Sequence, residues 1–372
     1  MKILVINPGS TSTKLAVYED DVPVWKYSAS HSSQELSAFH HINEQYEYRK
    51  KCITDALKEA DIPLHFDAII ARGGLLKPTS GGVYQINEHI KHDLWNASME
   101  HASNLAGLIA DELAGRIGCP AFIADPVVTD ELRDVARVSG LPELPRISIF
   151  HALNSRAVSR KYAATIGRKY EELDLIVVHL GGGISVSAHH FGKVVDVNNA
   201  LNGEGPFSPE RAGTLPAGQL VDLCYSGKYT HKEVKKMLNG KGGLVAHLGT
   251  TDVPTIVRWA RAGAKRHKLV LESMLYTVAK QVGAMHVALH GHTDAIVITG
   301  GIAYSDYCIG ILREWLEGLA RIVVIPGEDE MGALALNALG ALAGELQLQT
   351  YHPEDQEKRS EELSVGFKMP EK

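Results

Sequence analysis

Basic excess is missing from this chain: 38 Lys and Arg stand against 44 Asp and Glu, a formal net charge of −6 over 372 residues. Aromatics make up 6% of it, and no basic run is interleaved with them, so the footprint of a nucleic-acid binder is lacking. Cysteine is scarce. Cys52, Cys119, Cys224 and Cys308 are scattered, with no C-x-x-C spacing, and read as ordinary thiols in a reducing compartment rather than a disulfide framework. No apolar run reaches the length that crosses a bilayer. Four consecutive apolar residues follow Lys2, too few for a signal peptide, so a cytoplasmic protein is expected. Histidine is plentiful at 18, but His40-His41, His189-His190 and the pair His290 and His292 lack Cys or carboxylate partners at ligand spacing. They read as hydrogen-bonded or solvated side chains. What remains is a chain long enough for two or three domains, with 45% hydrophobic residues to build their cores.

Both common nucleotide loops are missing too. The stretch ILVINPGSTSTKLAVY at 3–18 has one glycine before Lys14 and no G-x-G-x-x-G, so it is neither a P-loop nor a dinucleotide fingerprint. Ile3, Leu4, Val5 and Ile6 predict a buried strand. Asn7, Pro8, Gly9 and Ser10 have turn chemistry. From Thr11 the residues alternate toward Tyr18, as in a second strand. A hydroxyl-rich turn with a lysine therefore sits between two strands, where the common loops sit between a strand and a helix.

The design recurs. LIVVHLGGGISVSAHH at 175–190 has an apolar strand, the turn Gly181-Gly182-Gly183 and an alternating strand. VPVWKYS follows the first hairpin as a third strand and KVVDVN follows the second. A helix over 46–60, with Ile53, Ala56, Leu57 and Ala60 on one face, leads to FDAIIARGG at 66–74. A helix carrying Leu271, Met274, Leu275, Val278, Val282 and Met285 leads to TDAIVITGG at 293–301. The order hairpin, third strand, helix, strand, Gly-Gly occurs twice. Such a duplication suggests a nucleotide clamp: two α/β domains, each offering the backbone N–H groups of its hairpin turn to phosphate from its own side of a cleft. Ser10, Thr11 and Ser12 add donors, Lys14 adds a charge, and Gly300, Gly301 and Ile302 would lie where a nucleoside packs on backbone.

This pattern resembles the actin-like superfamily of ATPases and sugar kinases, with ribonuclease H-like domains. INPGSTSTK, FHALNSR, HLGGGIS, NNALNGEGPFSPERAG, GGLVAHLGTTD and TGGIAYSD, spread over most of the chain, resemble the acetate and butyrate kinase family, and FHALN and NNALNGEGPFSPERAG its butyrate branch. The resemblance implies a duplicated actin-like α/β fold with an ATP cleft between the domains, over 1–147 and 148–328. It also implies a C-terminal helix over 329–350 packing back on the first domain; the tail at 351–372 is charged and reads as solvated. The implied reaction is reversible phosphoryl transfer from ATP to a short-chain carboxylate, with Mg2+, in a homo-oligomer of at least two chains.

A carboxylate is already a nucleophile at neutral pH. The enzyme must bring two anions into line and neutralise charge on the moving phosphoryl group. Arg72, ending a strand in ARGG, and Arg211, in GPFSPERAGTLPAG, are the candidate guanidiniums. The family's second arginine lies in G-T-R-S-G, where this chain has Leu215. His151 and His179 are implied donors to the phosphoryl group, and Ser155 replaces a family histidine. Asp125 is an implied active-site carboxylate, or a turn residue before Pro126. Asn7 and Lys14 are implied to face phosphate and magnesium. Asp329 and Glu330 resemble the family's acidic pair beside the metal, or are helix N-terminal acids, and Asn7 and Glu330 are the candidate metal contacts. Aligning the arginines puts Gly74 where acetate kinases carry a valine, so a deeper acid pocket is expected, with Phe150 and Pro209 in its wall. Two extra buried methylenes there contribute about 1.6 kcal/mol. The rivals are an acetate, propionate or sugar kinase on the same scaffold, or an actin-like nucleotide-switched binding protein.

Overall fold

The computed structural model describes residues 1–97 and 100–354. Its strands, in chain order, are β1 (Lys2–Pro8), β2 (Ser12–Glu19), β3 (Val22–Ser30), β4 (Ala68–Arg72), β5 (Val83–Gln85), β6 (Ala121–Ala124), β7 (Asp174–Leu180), β8 (Ile184–His190), β9 (Lys193–Val197), β10 (Ala295–Thr299), β11 (Ile322–Val324) and β12 (Leu348–Gln349). The described residues divide into two compact units: those of 1–129 with 329–354, and those of 130–328.

In the first unit the sheet order is β12-β5-β6-β4-β1-β2-β3. β1 and β2 form a hairpin with Asn7 opposite Lys14, and β4 and β6 extend the sheet in parallel. Ile3, Leu4, Val5 and Ile6 are all fully buried, as expected where helices cover both faces of a parallel core. Leu4, Ile6, Ile69 and Ala71 pack with Ile53 and Leu57 of the Tyr46–Glu59 helix and with Leu105 and Ile109 of the Ser103–Ile117 helix. Ala60 caps the first of these helices and is exposed, so it leaves the apolar face. The Glu330–Leu342 helix also packs on β1 and β4. It begins where the Asp329 side chain accepts the Gly332 N–H at 2.9 Å, an N-cap of ordinary chemistry.

The second unit has the order β11-β10-β7-β8-β9. Read from its meander, this is third, second, first, fourth, fifth strand, and β3-β2-β1-β4-β6 repeats it in the first unit. Alternation explains its two cores. Ile176, Val178, Ile296 and Ile298 face the Lys265–Ala288 helix through Leu271, Met274, Leu275, Val278 and Val282. Leu175, Val177, Ala295 and Val297 face Val158 and Tyr162 of the Ala152–Thr165 helix.

Two boundaries depart from expectation. Residues 130–147 group with the second unit, because arginines fasten them to β9. The Arg133 N–H donates to the Val195 carbonyl at 3.0 Å; Arg146 donates to Asp196 at 2.9 Å, Glu204 at 2.6 Å and the Val197 carbonyl at 2.9 Å. The expected tail begins with a buried residue. Tyr351 is 2% exposed, and its hydroxyl donates to Asp93 at 2.6 Å and accepts the Lys77 N–H at 3.2 Å. Residues 355–372 lie outside the described residues.

Candidate active site

In the first unit the site is built on the carboxyl ends of β1 and β4. Ser10 and Thr11 are exposed at the hairpin tip, and Lys14 is exposed opposite the buried Asn7. The Asn7 amide donates to Glu330 Oε2 at 2.8 Å. Arg72, at the end of β4, places Nη1 3.1 Å from Glu330 Oε1 and 3.2 Å from Oε2. Asn7, Arg72 and Glu330 thus form one cluster, although 258 residues separate the last two in the chain. His101 lies near it, its imidazole held below its ordinary pKa by burial first and then by Arg72 and Arg49.

Asp125 follows β6 and has a different visible job. It is buried, its φ is +38°, and it accepts the Gly82 N–H at 2.8 Å, so it fastens two loops of the first unit.

Gly74 also differs from expectation. A Cβ there would lie 2.6 Å from Leu94 Cδ2 and 2.8 Å from both Asn104 Cα and Oδ1. The glycine admits Leu94 and Asn104, which fill the space a side chain would take, and so it does not deepen an acid pocket.

In the second unit His179 is the last residue but one of β7 and is 1% exposed. Its Nδ1 meets the Asn154 Nδ2 amide at 2.8 Å. An amide nitrogen only donates, so Nδ1 accepts and the ring proton resides on Nε2. Burial, and then Arg211, lower the His179 pKa to about 4. The ring is therefore neutral at physiological pH and presents Nε2–H at the Gly181 turn, where a Gly181 Cβ would lie 3.0 Å from it. His151 stacks on it with ring centroids 3.7 Å apart and accepts or donates to Ser185 Oγ at 3.0 Å. Ser155 is fully buried directly below, in the same helix.

Arg211 donates from Nη1 to the Ala200 carbonyl at 2.8 Å. Its neighbour Ser208 donates to the Gly182 carbonyl at 2.6 Å, tying this loop to the glycine turn. Gly183 also leaves room for Arg211: a Cβ there would lie 1.8 Å from Arg211 Nη1, so the guanidinium would have to move.

Gly181, Gly182, Pro209, Gly301 and Ile302 line a cavity of about 620 Å³ in the second unit, with Asp252, Arg261 and Asp306 among its other walls. Pro209 thus lines this cavity. Phe150 is buried against Leu132, Val194 and Val197 in a small core cluster. Gly300 shapes the turn: it has φ +88°, and a Cβ would meet the Leu180 carbonyl at 2.4 Å. Among the described residues a Cβ on Gly301 would meet nothing within 4 Å, so this wall is open for a ligand.

Two residues of the site were not read from the sequence. Asn154, which sets the His179 tautomer, carries no local signal. Arg49, buried beneath the hairpin tip, stands four residues before Ile53 on the apolar face of its helix, and a charge in that stripe was the available signal.

Two units with one strand order, each with a polar or glycine-rich hairpin turn, define a duplicated actin-like α/β fold. A profile of the acetokinase family matches residues 146–321. A probable butyrate kinase of Phocaeicola vulgatus is 69% identical over 354 residues, covering 95% of this chain and all of that protein. Butyrate kinase 1 of Clostridium acetobutylicum is 48% identical over 352 residues, covering 94% and 99%. The chain belongs to the acetokinase family. The crystal structure of Porphyromonas gingivalis acetate kinase shares the fold, with TM-score 0.72 at 20% identity over 92% of this chain and 99% of that one. Among the described residues no helix is long and apolar enough to cross a membrane.

Proposed function

We propose that the protein transfers a phosphoryl group reversibly between ATP and the carboxylate of butyrate or isobutyrate, with Mg2+. What carries the reading is the 69% and 48% identity, over nearly the whole chain, to proteins named as butyrate kinases. The same reading carries a cytoplasmic location and an assembly of at least two chains.

The side chains present fit these groups. The cavity at Gly181, Gly301 and Ile302 has the size and glycine-lined wall a nucleoside needs. Asn7 and Glu330 are oxygen-bearing residues suited to Mg2+. Among the described residues no cluster of three or more His, Cys, Asp or Glu could cage a metal, which fits an ion that keeps most ligands from phosphate and water. When bound, MgATP supplies the transferable phosphoryl group and neutralises part of its charge. Arg72 binds the acid's carboxylate, and its guanidinium is held ready by Glu330. His179 donates Nε2–H to phosphoryl oxygens without bringing a proton that could leave, because its neutral tautomer is set by Asn154. Arg211 places a second fixed cation where charge develops.

The test is to incubate the protein with MgATP and hydroxylamine, trapping acyl phosphate as hydroxamate, across acetate to valerate and including isobutyrate. Signal peaking at four carbons and collapsing in Arg72→Ala is expected. A peak at acetate would leave the chemistry and remove the butyrate assignment; no hydroxamate from any acid would remove both.

A further inference from the structure

Arg49 is fully buried, and both of its Nη groups donate to the hairpin tip. Nη1 donates to the Gly9 carbonyl at 3.0 Å, the Ser12 carbonyl at 3.2 Å and Thr13 Oγ1 at 3.2 Å. Nη2 donates to the Ser10 carbonyl at 3.1 Å, and Nε to Gln45 Oε1 at 2.9 Å. Among the described residues none of these partners is a carboxylate. A buried charge normally finds one, since removing an ion from water costs several kcal/mol.

The peptide plane turns this grip into a shape. In a trans peptide the carbonyl of one residue and the N–H of the next point in opposite directions. With the Gly9 and Ser10 carbonyls drawn inward to Arg49, the N–H groups of Ser10 and Thr11 point outward. Neither donates to a protein group among the described residues. Thr11 is held from the same side, its carbonyl accepting the His31 N–H at 2.8 Å. His31 in turn bridges Thr13 Oγ1 at 2.8 Å and the Tyr48 hydroxyl at 3.0 Å. The tip is therefore two adjacent outward N–H groups, at an exposed turn, with an uncompensated cation beneath them.

We infer that Arg49 is a positioning residue: it holds the Gly9, Ser10 and Ser12 carbonyls inward so that the Ser10 and Thr11 amides form a preset anion cradle. The phosphate bound there supplies the counter-charge that Arg49 lacks. The inference rests on the proposed phosphate role of this turn. Arg49 itself touches no substrate.

The experiment follows backbone amides by TROSY NMR in the full-length protein, with MgATP as the probe, alongside kinetics for ATP. In the wild type the Ser10 and Thr11 amides move downfield on MgATP, as do Gly301 and Ile302 in the second unit. In Arg49→Met the response of Ser10 and Thr11 is lost, that of Gly301 and Ile302 persists, and kcat/KM for ATP falls roughly a hundredfold, the scale of a lost preorganised donor. Arg49→Lys keeps the charge but not the planar fork; it is expected to fold and to lose roughly tenfold. It decides the matter if Arg49→Met does not fold. A folded Arg49→Met, or an Arg49→Lys, with both tip amides still responding and kcat/KM within about threefold of wild type overturns the inference. Wild-type tip amides that ignore MgATP while Gly301 responds overturn the phosphate role of the turn, and this inference with it, leaving the nucleotide cavity standing.

Discussion

Gly183→Ala is the smallest change that separates a glycine making room for an arginine from one making room for phosphate. The new Cβ would stand 1.8 Å from Arg211 Nη1, 2.3 Å from Cζ and 3.0 Å from Nε. No rotation of a methyl group relieves that, so the guanidinium must leave and its 2.8 Å bond to the Ala200 carbonyl is lost. A hydrogen bond from a charged donor is worth about 1.5–3 kcal/mol. Among the described residues Arg211 Nε has no hydrogen-bond partner in its buried position, so regained hydration offsets part of this and the net loss falls near the lower figure. Activity should fall roughly a hundredfold, as when one preorganised donor is removed. Gly182→Ala is the stability control, since its Cβ would meet Glu210 Oε1 at an ordinary 3.5 Å. The assays are urea unfolding and hydroxamate formation. The double variant Gly183→Ala with Arg211→Ala should be no slower than Arg211→Ala, because both remove the same group. A fully active Gly183→Ala, or a double variant whose losses multiply, would refute the reasoning.

His179 makes the protein acid-sensitive in a stated window. Its folded pKa of about 4 lies below the ordinary 6.5, so the unfolded chain takes up this proton first. The contribution is full above pH 6.5 and is lost as pH falls toward 4, in total on the order of 3 kcal/mol. Urea midpoints from pH 7 to 4 should slope less in His179→Gln than in wild type; equal slopes would dismiss this. Gly74→Val should destabilise by about 1–3 kcal/mol through overpacking against Leu94 and Asn104, with the order of preference among acids kept. A variant of unchanged stability that shifts toward acetate would restore Gly74 to the pocket.

The periodic features were legible along the chain. The apolar run from Leu175 marked β7 and the alternation from Ile184 marked β8, the 3.6-residue stripe from Leu271 to Met285 marked one long helix, and the ordered recurrence of hairpin, helix, strand and glycine pair carried the duplication. Those signals are local, because a strand or helix advertises its buried face within a few residues. Arg72, His151, His179 and Arg211 were likewise visible as motif residues at strand ends and loops.

What only the tertiary structure decided was the partner of each such residue. Gly183 sits in a turn that reads as a phosphate loop, yet its missing side chain is answered by Arg211, 28 positions on. Gly74 reads as pocket space and is answered by Leu94 and Asn104. Arg49 meets the Gly9 carbonyl 40 residues away in the chain, Arg72 meets Glu330 across 258, and residues 130–147 join the second unit through Arg133 and Arg146. Local pattern determines which face of an element is buried; which atoms meet there depends on how distant elements are brought together, and that information is spread over the whole chain.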